Sequence, residues 1–427
     1  MRRFDAKDSG FDDAFRAFLD ERRGSPADVD AAVREIIEQV RVGGLEALLR
    51  LAKQFDRVEL DAETIRVPAE EIEAGARACP EEVRSALQLA ADRIRAYHTR
   101  QRPADQDFVD DTGARLGWRW TPLDSVGVYV PGGRAAYPSS LLMNAVPAAV
   151  AGVGRIAMVT PPGRLEPAVL AAAKIAGVSE IWRVGGAQAV AALAYGAGPI
   201  GAVDKIVGPG NAYVSAAKRQ VYGVVGIDAL AGPSEIVVVA DANNDPVWIA
   251  ADLLSQAEHD PDAQSILITD DADFAEAVRR AVDVELQQLA TAEAASQSWS
   301  RHGAIVLAPM ARAPELVDLI APEHVELALD HPRAMADLIR HAGAIFLGRH
   351  TPEAIGDYVA GSNHVLPTSR AARFSSGLSI YDFLKRTSIV ECSPEAFAAL
   401  GPATVVLAEA EGLPAHARSA ALRLHRG

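Results

Sequence analysis

The chain has 427 residues, of which 49% are hydrophobic; this length suits two or three domains, and the composition excludes a disordered protein. Its formal net charge is −15 and no block of Lys and Arg stands out, which argues against nucleic acid and anionic membranes as main partners. The only two cysteines, Cys79 and Cys392, exclude a disulfide framework and suit the reducing cytoplasm.

The first hundred residues are predicted to be mostly helical. The N-terminus, Met-Arg-Arg-Phe-Asp, has no apolar segment behind its arginines, so no signal peptide is expected and the protein is expected in the cytoplasm. Helical periodicity of apolar residues continues through residues 45–55 and 67–97. Residues 115–130 are then predicted to form a pair of strands.

From about residue 125, short β-branched runs alternate with Ala-rich amphipathic stretches, which is typical of parallel β-α-β units. The predicted strands of the first series are 126–130, 156–160, 181–184, 206–207 and 236–239. A second series contains helices 246–258, 272–290 and 313–320 and strands 265–269, 304–308, 325–329 and 344–347. The sequence therefore predicts an α/β protein with two doubly wound sheet domains, and ligands are expected in the cleft between them, at carboxyl ends of strands.

Two further stretches bear on membranes and partners. The most apolar one, residues 141–159, is interrupted by Pro147, Gly152, Gly154 and Arg155, so a membrane span is not expected there. Residues beyond about 370 are predicted to form a connector and then helices that are too small for an independent core. This tail is expected to dock on another surface, such as a second subunit.

Three glycine-containing loops follow predicted strands and precede predicted helices, at residues 131–134, 185–188 and 208–211. Helix N-termini offer free N–H groups and positive potential, so a nucleotide site is plausible here, although ordinary tight βα turns explain the same pattern. Residues 152–157 match the dinucleotide-binding fingerprint as a string. They end a predicted helix and precede a strand, which is the wrong context, so we reject that match.

Four separated segments carry the side chains of a candidate catalytic centre. Oxygen and imidazole ligands for a divalent ion are available at Gln256, His259, Asp357 and His416. The adjacent Glu323 and His324 are then left for proton transfer. Each segment alone is explained better by exposed or structural polar residues, and it is their combination that indicates a metal enzyme. A zinc hydrolase and a metal-binding scaffold without chemistry remain open alternatives from these residues.

Longer strings in this chain resemble the histidinol dehydrogenase family over nearly its whole length. They are Val-Tyr-Val-Pro-Gly-Gly-Arg at 128–134, Gly-Pro-Gly-Asn-Ala-Tyr-Val at 208–214, Ala-Gly-Pro-Ser-Glu-Ile at 231–236, Ser-Gln-Ala-Glu-His-Asp at 255–260, Ala-Pro-Glu-His-Val-Glu at 321–326, Gly-Ser-Asn-His-Val-Leu-Pro-Thr at 361–368 and Glu-Gly-Leu-Pro-Ala-His at 411–416. The resemblance implies NAD-dependent oxidation of L-histidinol to L-histidine, the last step of histidine biosynthesis. The resemblance implies that the oxidation takes place in two hydride transfers, with an aldehyde intermediate that stays on the enzyme.

The same resemblance implies a role for individual residues. One zinc ion per subunit is expected on Gln256, His259, Asp357 and His416, with His324 as the base and Glu323 activating water. These six residues are also expected to line the substrate site, together with Ser234, His364 and Glu411. NAD contacts are expected at Tyr129, Gln188 and Asn211. The family forms intertwined homodimers, so the tail with Glu411 and His416 is expected to complete the partner's site.

The resemblance also implies the domain organisation. Two incomplete Rossmann-like domains are expected, with small helical extensions at both ends. The expected division is an N-terminal extension at 1–25, a first α/β domain at 26–128 and 236–375 that carries the zinc and catalytic residues, an NAD-binding domain at 129–235 and an exchanged tail at 376–427. Relatives of this family act on other small alcohols, including sulfonated diols, which is the alternative substrate class.

Overall fold

The computed structural model describes residues 1–21, 27–132, 137–163, 165–230 and 232–424. Its strands are β1 (Arg2–Asp5), β2 (Gln106–Val109), β3 (Arg115–Pro122), β4 (Ser125–Tyr129), β5 (Arg155–Thr160), β6 (Glu180–Arg183), β7 (Lys205–Val207), β8 (Gly226–Ile227), β9 (Glu235–Ala240), β10 (Gln264–Thr269), β11 (Ala304–Leu307), β12 (His324–Ala328), β13 (Ala344–Leu347) and β14 (Leu384–Glu391). Its α-helices are α1 (Phe11–Asp20), α2 (Ala27–Asp56), α3 (Ala69–Ala78), α4 (Glu81–Thr99), α5 (Pro138–Ala151), α6 (Pro167–Ala176), α7 (Gly186–Tyr195), α8 (Ala212–Val221), α9 (Pro246–Ala257), α10 (Ala272–Glu285), α11 (Ala292–His302), α12 (Ala313–Ile320), α13 (Pro332–Ala336), α14 (Glu353–Tyr358), α15 (Pro394–Ala410) and α16 (Pro414–Leu424). Short 3-10 helices cover Met310–Arg312, Ala371–Arg373 and Ile380–Phe383.

A six-stranded sheet has the order β1-β11-β10-β9-β12-β13, with all neighbouring strands parallel. Its central strand β9 is buried along its whole length, and its side chains alternate between two apolar clusters. Val237 and Val239 pack with residues of α1 and α12, whereas Ile236 and Val238 pack with residues of α9, α10 and α11. Helices thus cover both faces, as a parallel sheet requires.

A five-stranded parallel sheet has the order β6-β5-β4-β7-β8. One of its faces packs on residues of α3, α4, α5 and α6, and the other packs on residues of α2, α7 and α8. Successive side chains along a strand again point to opposite faces: on β5, Met158 belongs to the first cluster and Val159 to the second. The predicted α/β class with two helix-covered parallel sheets is therefore confirmed.

An antiparallel ribbon of the order β14-β3-β2 leads into the C-terminal tail. The tail helices α15 and α16 pack on each other. They leave large apolar side chains exposed, among them Val406 and Leu407, each at 64%. The described residues include no helix that is both long and apolar enough to cross a membrane.

The packing of the N-terminal third differs from the expected domain division. Helices α2, α3 and α4 were grouped with residues 236–375, but they pack on the five-stranded sheet, to which β4 also belongs. The expected extension at 1–25 contributes β1 to the six-stranded sheet and α1 to its core, and its expected end lies outside the described residues. Local periodicity predicts a helix but not the distant apolar surface that the helix covers, which explains the difference.

The predicted strand pair at 115–130 also divides between two sheets. Strand β3 pairs with β2 and β14 in the antiparallel ribbon, while β4 is central in the five-stranded parallel sheet. Residues Leu384–Glu391, for which no strand was predicted, form β14. This strand is exposed over nearly its whole length, so its sequence carries no burial pattern.

Candidate active site

A cavity of about 420 Å³ lies between the two parallel sheets. Loop residues after β7 form part of its wall on the side of the five-stranded sheet, namely Gly208, Pro209, Gly210 and Asn211. The opposite wall carries six of the nine expected metal, catalytic and substrate residues, namely Ser234, His259, Glu323, His324, Asp357 and His364. The structure therefore brings side chains from five separated segments of the chain to one place.

The two sheets present opposite ends to this cavity. Gly208 follows the carboxyl end of β7, and Asn211 caps the N-terminus of α8 by accepting hydrogen bonds from the backbone N–H groups of Tyr213 and Val214. On the other side, His324 begins β12 and Ser234 directly precedes β9, so the cavity meets the amino ends of the six-stranded sheet. The expected carboxyl-end position is thus correct for one sheet and wrong for the other.

This arrangement gives the cavity two electrostatic ends. The first turn of α5 and the N-cap residue of α8 lie at the wall formed by the five-stranded sheet, and helix N-termini favour anions. His259 and Asp260 directly follow α9, whose C-terminal end carries partial negative charge and favours cations. Phosphate groups therefore suit one end of the cavity and a metal ion or an ammonium group suits the other.

His324 is held as a neutral base. Its Nδ1 lies 3.1 Å from the carbonyl oxygen of Glu235; since a carbonyl only accepts, Nδ1 carries the proton and donates. Nε2 is then an acceptor, and it has no hydrogen-bond partner within the described part of the chain. Burial lowers the pKa of His324 to about 4, so the ring is uncharged at neutral pH.

Glu323 is buried beside the histidine. Its Oε2 accepts a hydrogen bond from the backbone N–H of Glu235 at 3.1 Å and lies 3.7 Å from His324 Nδ1. Burial raises the pKa of Glu323 well above its usual value, so its carboxylate is a stronger base than an exposed one. The same residue, Glu235, therefore orients both members of the pair through its backbone.

A second group of acidic and imidazole side chains surrounds His324 Nε2. Glu353 Oε1 lies 3.7 Å and Asp357 Oδ1 4.0 Å from that nitrogen, and one ligand atom from each of the three residues lies within 4.8 Å of the others. His364 donates from Nδ1 to the carbonyl oxygen of Asp357 at 2.9 Å. Nitrogen and oxygen donors at these separations suit a zinc ion.

Gln256 provides an independent indication of a metal site. It is fully buried at the C-terminal end of α9, and neither its amide oxygen nor its amide nitrogen has a hydrogen-bond partner in the described residues. An unpaired buried amide costs roughly 1–3 kcal/mol, so such a group calls for a ligand. His259, three residues later, faces the cavity. Gln256, His259 and Asp357 thus fit the zinc ligands that the family resemblance implies.

The remaining expected residues lie elsewhere in this chain. Tyr129 and Gln188 are buried and do not line the cavity; the Tyr129 hydroxyl accepts a hydrogen bond from the backbone N–H of Gly186 at 3.0 Å. Glu411 and His416 are exposed on the tail and are absent from the cavity wall. A single chain therefore does not bring the last expected zinc ligand to the site.

The sequence analysis missed two buried carboxyl groups, Glu326 and Glu353, and one half-buried carboxyl group, Asp252. Asp252 and Glu326 are hydrogen bonded to each other, and Ser255 Oγ donates to Glu353 Oε2 at 3.2 Å. Burial raises the pKa of all three, to about 6 for Asp252, about 10 for Glu326 and about 8 for Glu353. Two of them had a signal in the sequence, because Glu326 is two residues from His324 on a strand and Glu353 is four residues from Asp357 on a helix.

Comparison with known proteins agrees with this geometry. The histidinol dehydrogenase family model matches residues 19–424. The chain belongs to the histidinol dehydrogenase family. A histidinol dehydrogenase of Caulobacter vibrioides is 74% identical over the full length of both chains, and one of Rhodospirillum rubrum is 58% identical over 100% of this chain and 99% of its own. The crystal structure of a histidinol dehydrogenase from Elizabethkingia anophelis superposes with a TM-score of 0.95 at 35% identity, covering 100% of this chain and 98% of the other. Membership of the histidinol dehydrogenase family makes the protein an oxidoreductase.

The buried carboxyl pair generates a pH-dependent prediction. The pKa of Glu326 is raised in the folded protein, so the folded state favours the protonated carboxyl group. The stability that this protonation contributes is fully present below the unfolded-state pKa of 4.5 and is lost as pH rises towards about 10. Glu326→Gln keeps a donor to Asp252 but takes up no charge. We expect the free energy of unfolding of the variant, relative to that of the parent, to increase by up to about 1.4 kcal/mol per pH unit across this range. Urea unfolding at pH 5, 7 and 9 measures the difference, and a difference that is constant with pH would contradict a raised pKa.

Proposed function

We propose that the protein oxidises L-histidinol to L-histidine in two NAD-dependent steps, through enzyme-held L-histidinaldehyde, at a zinc site between its two sheets. This is the last step of histidine biosynthesis. The single observation that carries the proposal is the geometry of His324, whose protonated Nδ1 is fixed by Glu235 and whose Nε2 is left as an acceptor next to Asp357. The family membership over residues 19–424 supports the same reaction.

In the proposed reaction His324 removes the proton of the substrate hydroxyl through Nε2. Its lowered pKa of about 4 keeps the ring neutral and able to accept at the start of each oxidation. Glu323 takes a proton from the water that hydrates the aldehyde, since its buried carboxylate is a strong base. His324 then acts again as base in the second oxidation. Bound NAD supplies the hydride acceptor, and the five-stranded sheet and its loops form the NAD-binding part, with Tyr129, Gln188 and Asn211 as the proposed contacts.

The zinc ion is proposed on Gln256, His259 and Asp357 of one chain and His416 of another. When bound, zinc supplies a Lewis acid that fixes the amine and imidazole of the substrate. Ser234, His364 and Glu411 are proposed to hold its polar ends. The substrate end of the cavity is acidic, with Asp260, Glu323 and Asp357 in its wall, which favours the ammonium group of histidinol over a sulfonate.

The division of labour between Glu323 and His324 tests this proposal. The zinc-loaded parent is expected to form two NADH per L-histidinol consumed. Glu323→Gln cannot take up a proton, so it is expected to slow the oxidation of supplied histidinaldehyde by about 10²–10⁴-fold and alcohol oxidation much less. Stopped-flow measurement of NADH with each substrate gives both rates.

His324→Asn is the matched comparison, because it is expected to slow both oxidations. Equal slowing of both steps by Glu323→Gln would refute the assigned roles. Absence of NADH formation from histidinol by the parent would refute the proposed function itself.

We also propose that the active unit is a homodimer in which each tail completes the other chain's site. The tail packs on itself through α15 and α16, exposes apolar residues such as Val406 and Leu407, and holds Glu411 and His416 away from its own cavity. Exposed apolar surface of this kind is typical of an interface. A second copy would cover this surface and bring the missing ligand to the site.

Hybrid dimers test the exchange of tails. A dimer of one His324→Asn chain and one His416→Asn chain contains one fully intact site if the tail acts on the other chain, and none if it acts on its own. Random co-assembly of the two inactive variants is then expected to restore about one quarter of the parental activity. The two chains are co-expressed with different tags and purified, and NADH formation is measured. No recovery in dimers shown to contain both tags would contradict the exchange.

A further inference from the structure

A buried ion pair joins Lys218 to Asp228 next to the cavity. The two side chains are 3% and 4% exposed, and both residues belong to the cavity wall. Lys218 lies on α8 and Asp228 follows β8. The proposed reaction gives neither of them a chemical role.

The two side chains hydrogen bond to both backbone groups of one residue, Gly208. Asp228 Oδ2 accepts the backbone N–H of Gly208 at 2.8 Å, and Lys218 Nζ donates to its carbonyl oxygen at 3.0 Å. Gly208 has a φ of +110°, and a Cβ atom there would lie 2.2 Å from the carbonyl oxygen of Tyr129. The ion pair and the Tyr129 backbone therefore restrict the start of the loop at 208–211 to one conformation.

This loop leads directly into the wall of the cavity. Gly210 and Asn211 line it, and the Asn211 side chain caps α8. A shift at Gly208 would therefore move Asn211 and with it the first turn of α8, whose N-terminus lies towards the anion-favouring end of the cavity.

Stability does not by itself explain such a pair. Removing two charges from water costs free energy that their attraction barely offsets, and apolar replacements are often equally stable. What Lys218 and Asp228 provide through their bonds to Gly208 is the position of a loop.

We propose that Lys218 and Asp228 are positioning residues for NAD, which act by holding the loop at 208–211 and the N-terminus of α8. They contact Gly208 and not the reacting atoms. This inference rests on the proposed NAD dependence.

The double variant Lys218→Met/Asp228→Asn tests the inference without leaving one buried charge unpaired. In the full-length zinc-loaded protein, the dissociation constant of NAD is measured by calorimetry, and KM is measured for NAD and for L-histidinol. We expect NAD binding to weaken about tenfold or more, and the KM for histidinol to stay within about twofold of the parent. A merely structural role would not separate the two substrates.

Lys205→Met is the matched control. Lys205, on β7 of the same sheet, forms a half-buried ion pair at 3.0 Å with Asp382 of the 3-10 helix Ile380–Phe383, with side chains 14% and 28% exposed. It donates to Asp382 and not to the loop at 208–211. We expect its NAD affinity to stay within about twofold of the parent.

The outcomes separate the inference from the proposed function. A parent that binds no NAD refutes the proposed function. The inference alone is refuted if the parent binds NAD and the double variant binds it with unchanged affinity. It is also refuted if the double variant raises the KM values for NAD and L-histidinol equally. If the double variant does not fold, Lys218→Gln/Asp228→Asn is measured instead, since it also leaves no buried charge unpaired and removes the Lys218 Nζ donor to the Gly208 carbonyl oxygen. Weaker NAD binding without a change in histidinol KM is expected there too, and unchanged NAD binding refutes the positioning role.

Discussion

The end-to-end meeting of two parallel sheets is the constraint on which the site depends. The carboxyl end of β7 and the amino ends of β9 and β12 face one cavity. Helix N-termini therefore lie on one side of it and the C-terminal end of α9 lies on the other. A fold that placed two carboxyl ends together would present positive potential from both sides. This fold separates an anion-favouring end from a cation-favouring end within about 420 Å³.

The cation-favouring end is also the place where unsatisfied polar groups collect. The Gln256 amide, His324 Nε2 and Glu353 Oε1 are all buried without a hydrogen-bond partner among the described residues. Each such group destabilises the protein when it is left unpaired; a cation held by Gln256 would remove that cost for the amide, and the substrate hydroxyl would remove it for His324 Nε2. Metal binding and folding stability are therefore coupled at this end of the cavity. The buried carboxyl groups of Asp252 and Glu326 lie behind it and stabilise each other by sharing a proton.

Much of the fold was predictable because strands and helices alternate with clear periods. The starts of most strands and helices between 125 and 347 differ by only one or two residues from the sequence prediction. Strand β1 was missed because Arg-Arg-Phe-Asp has no β-branched residue, and β14 because it is exposed and has no burial pattern. The packing of α2, α3 and α4 on the five-stranded sheet depends on contacts between segments far apart in the sequence, which local periodicity does not contain.

The site residues were also predictable only where the local sequence carried a signal. Glu323 and His324 are adjacent in the sequence and Asp357 lies seven residues before His364, so the sequence indicated them, and the structure places them together. Glu353, Lys218 and Asp228 are single residues in ordinary surroundings. Their importance arises only from burial and from the neighbours that the fold gives them. The tail residues Glu411 and His416 differ from both groups, because they are predicted to lie in the site of a second chain.

The most direct test of the account is the thermal stability of Gln256→Met with and without zinc. Met fills the same space without unpaired polar atoms, so the metal-free variant is expected to melt at or above the temperature of the metal-free parent, while zinc no longer stabilises it. Gln264→Met is the control, since Gln264 is also buried with an unpartnered amide nitrogen in the described chain but begins β10 and is not one of the proposed zinc ligands, and it should keep the zinc effect. A Gln256→Met protein that zinc stabilises as strongly as the parent would contradict the account.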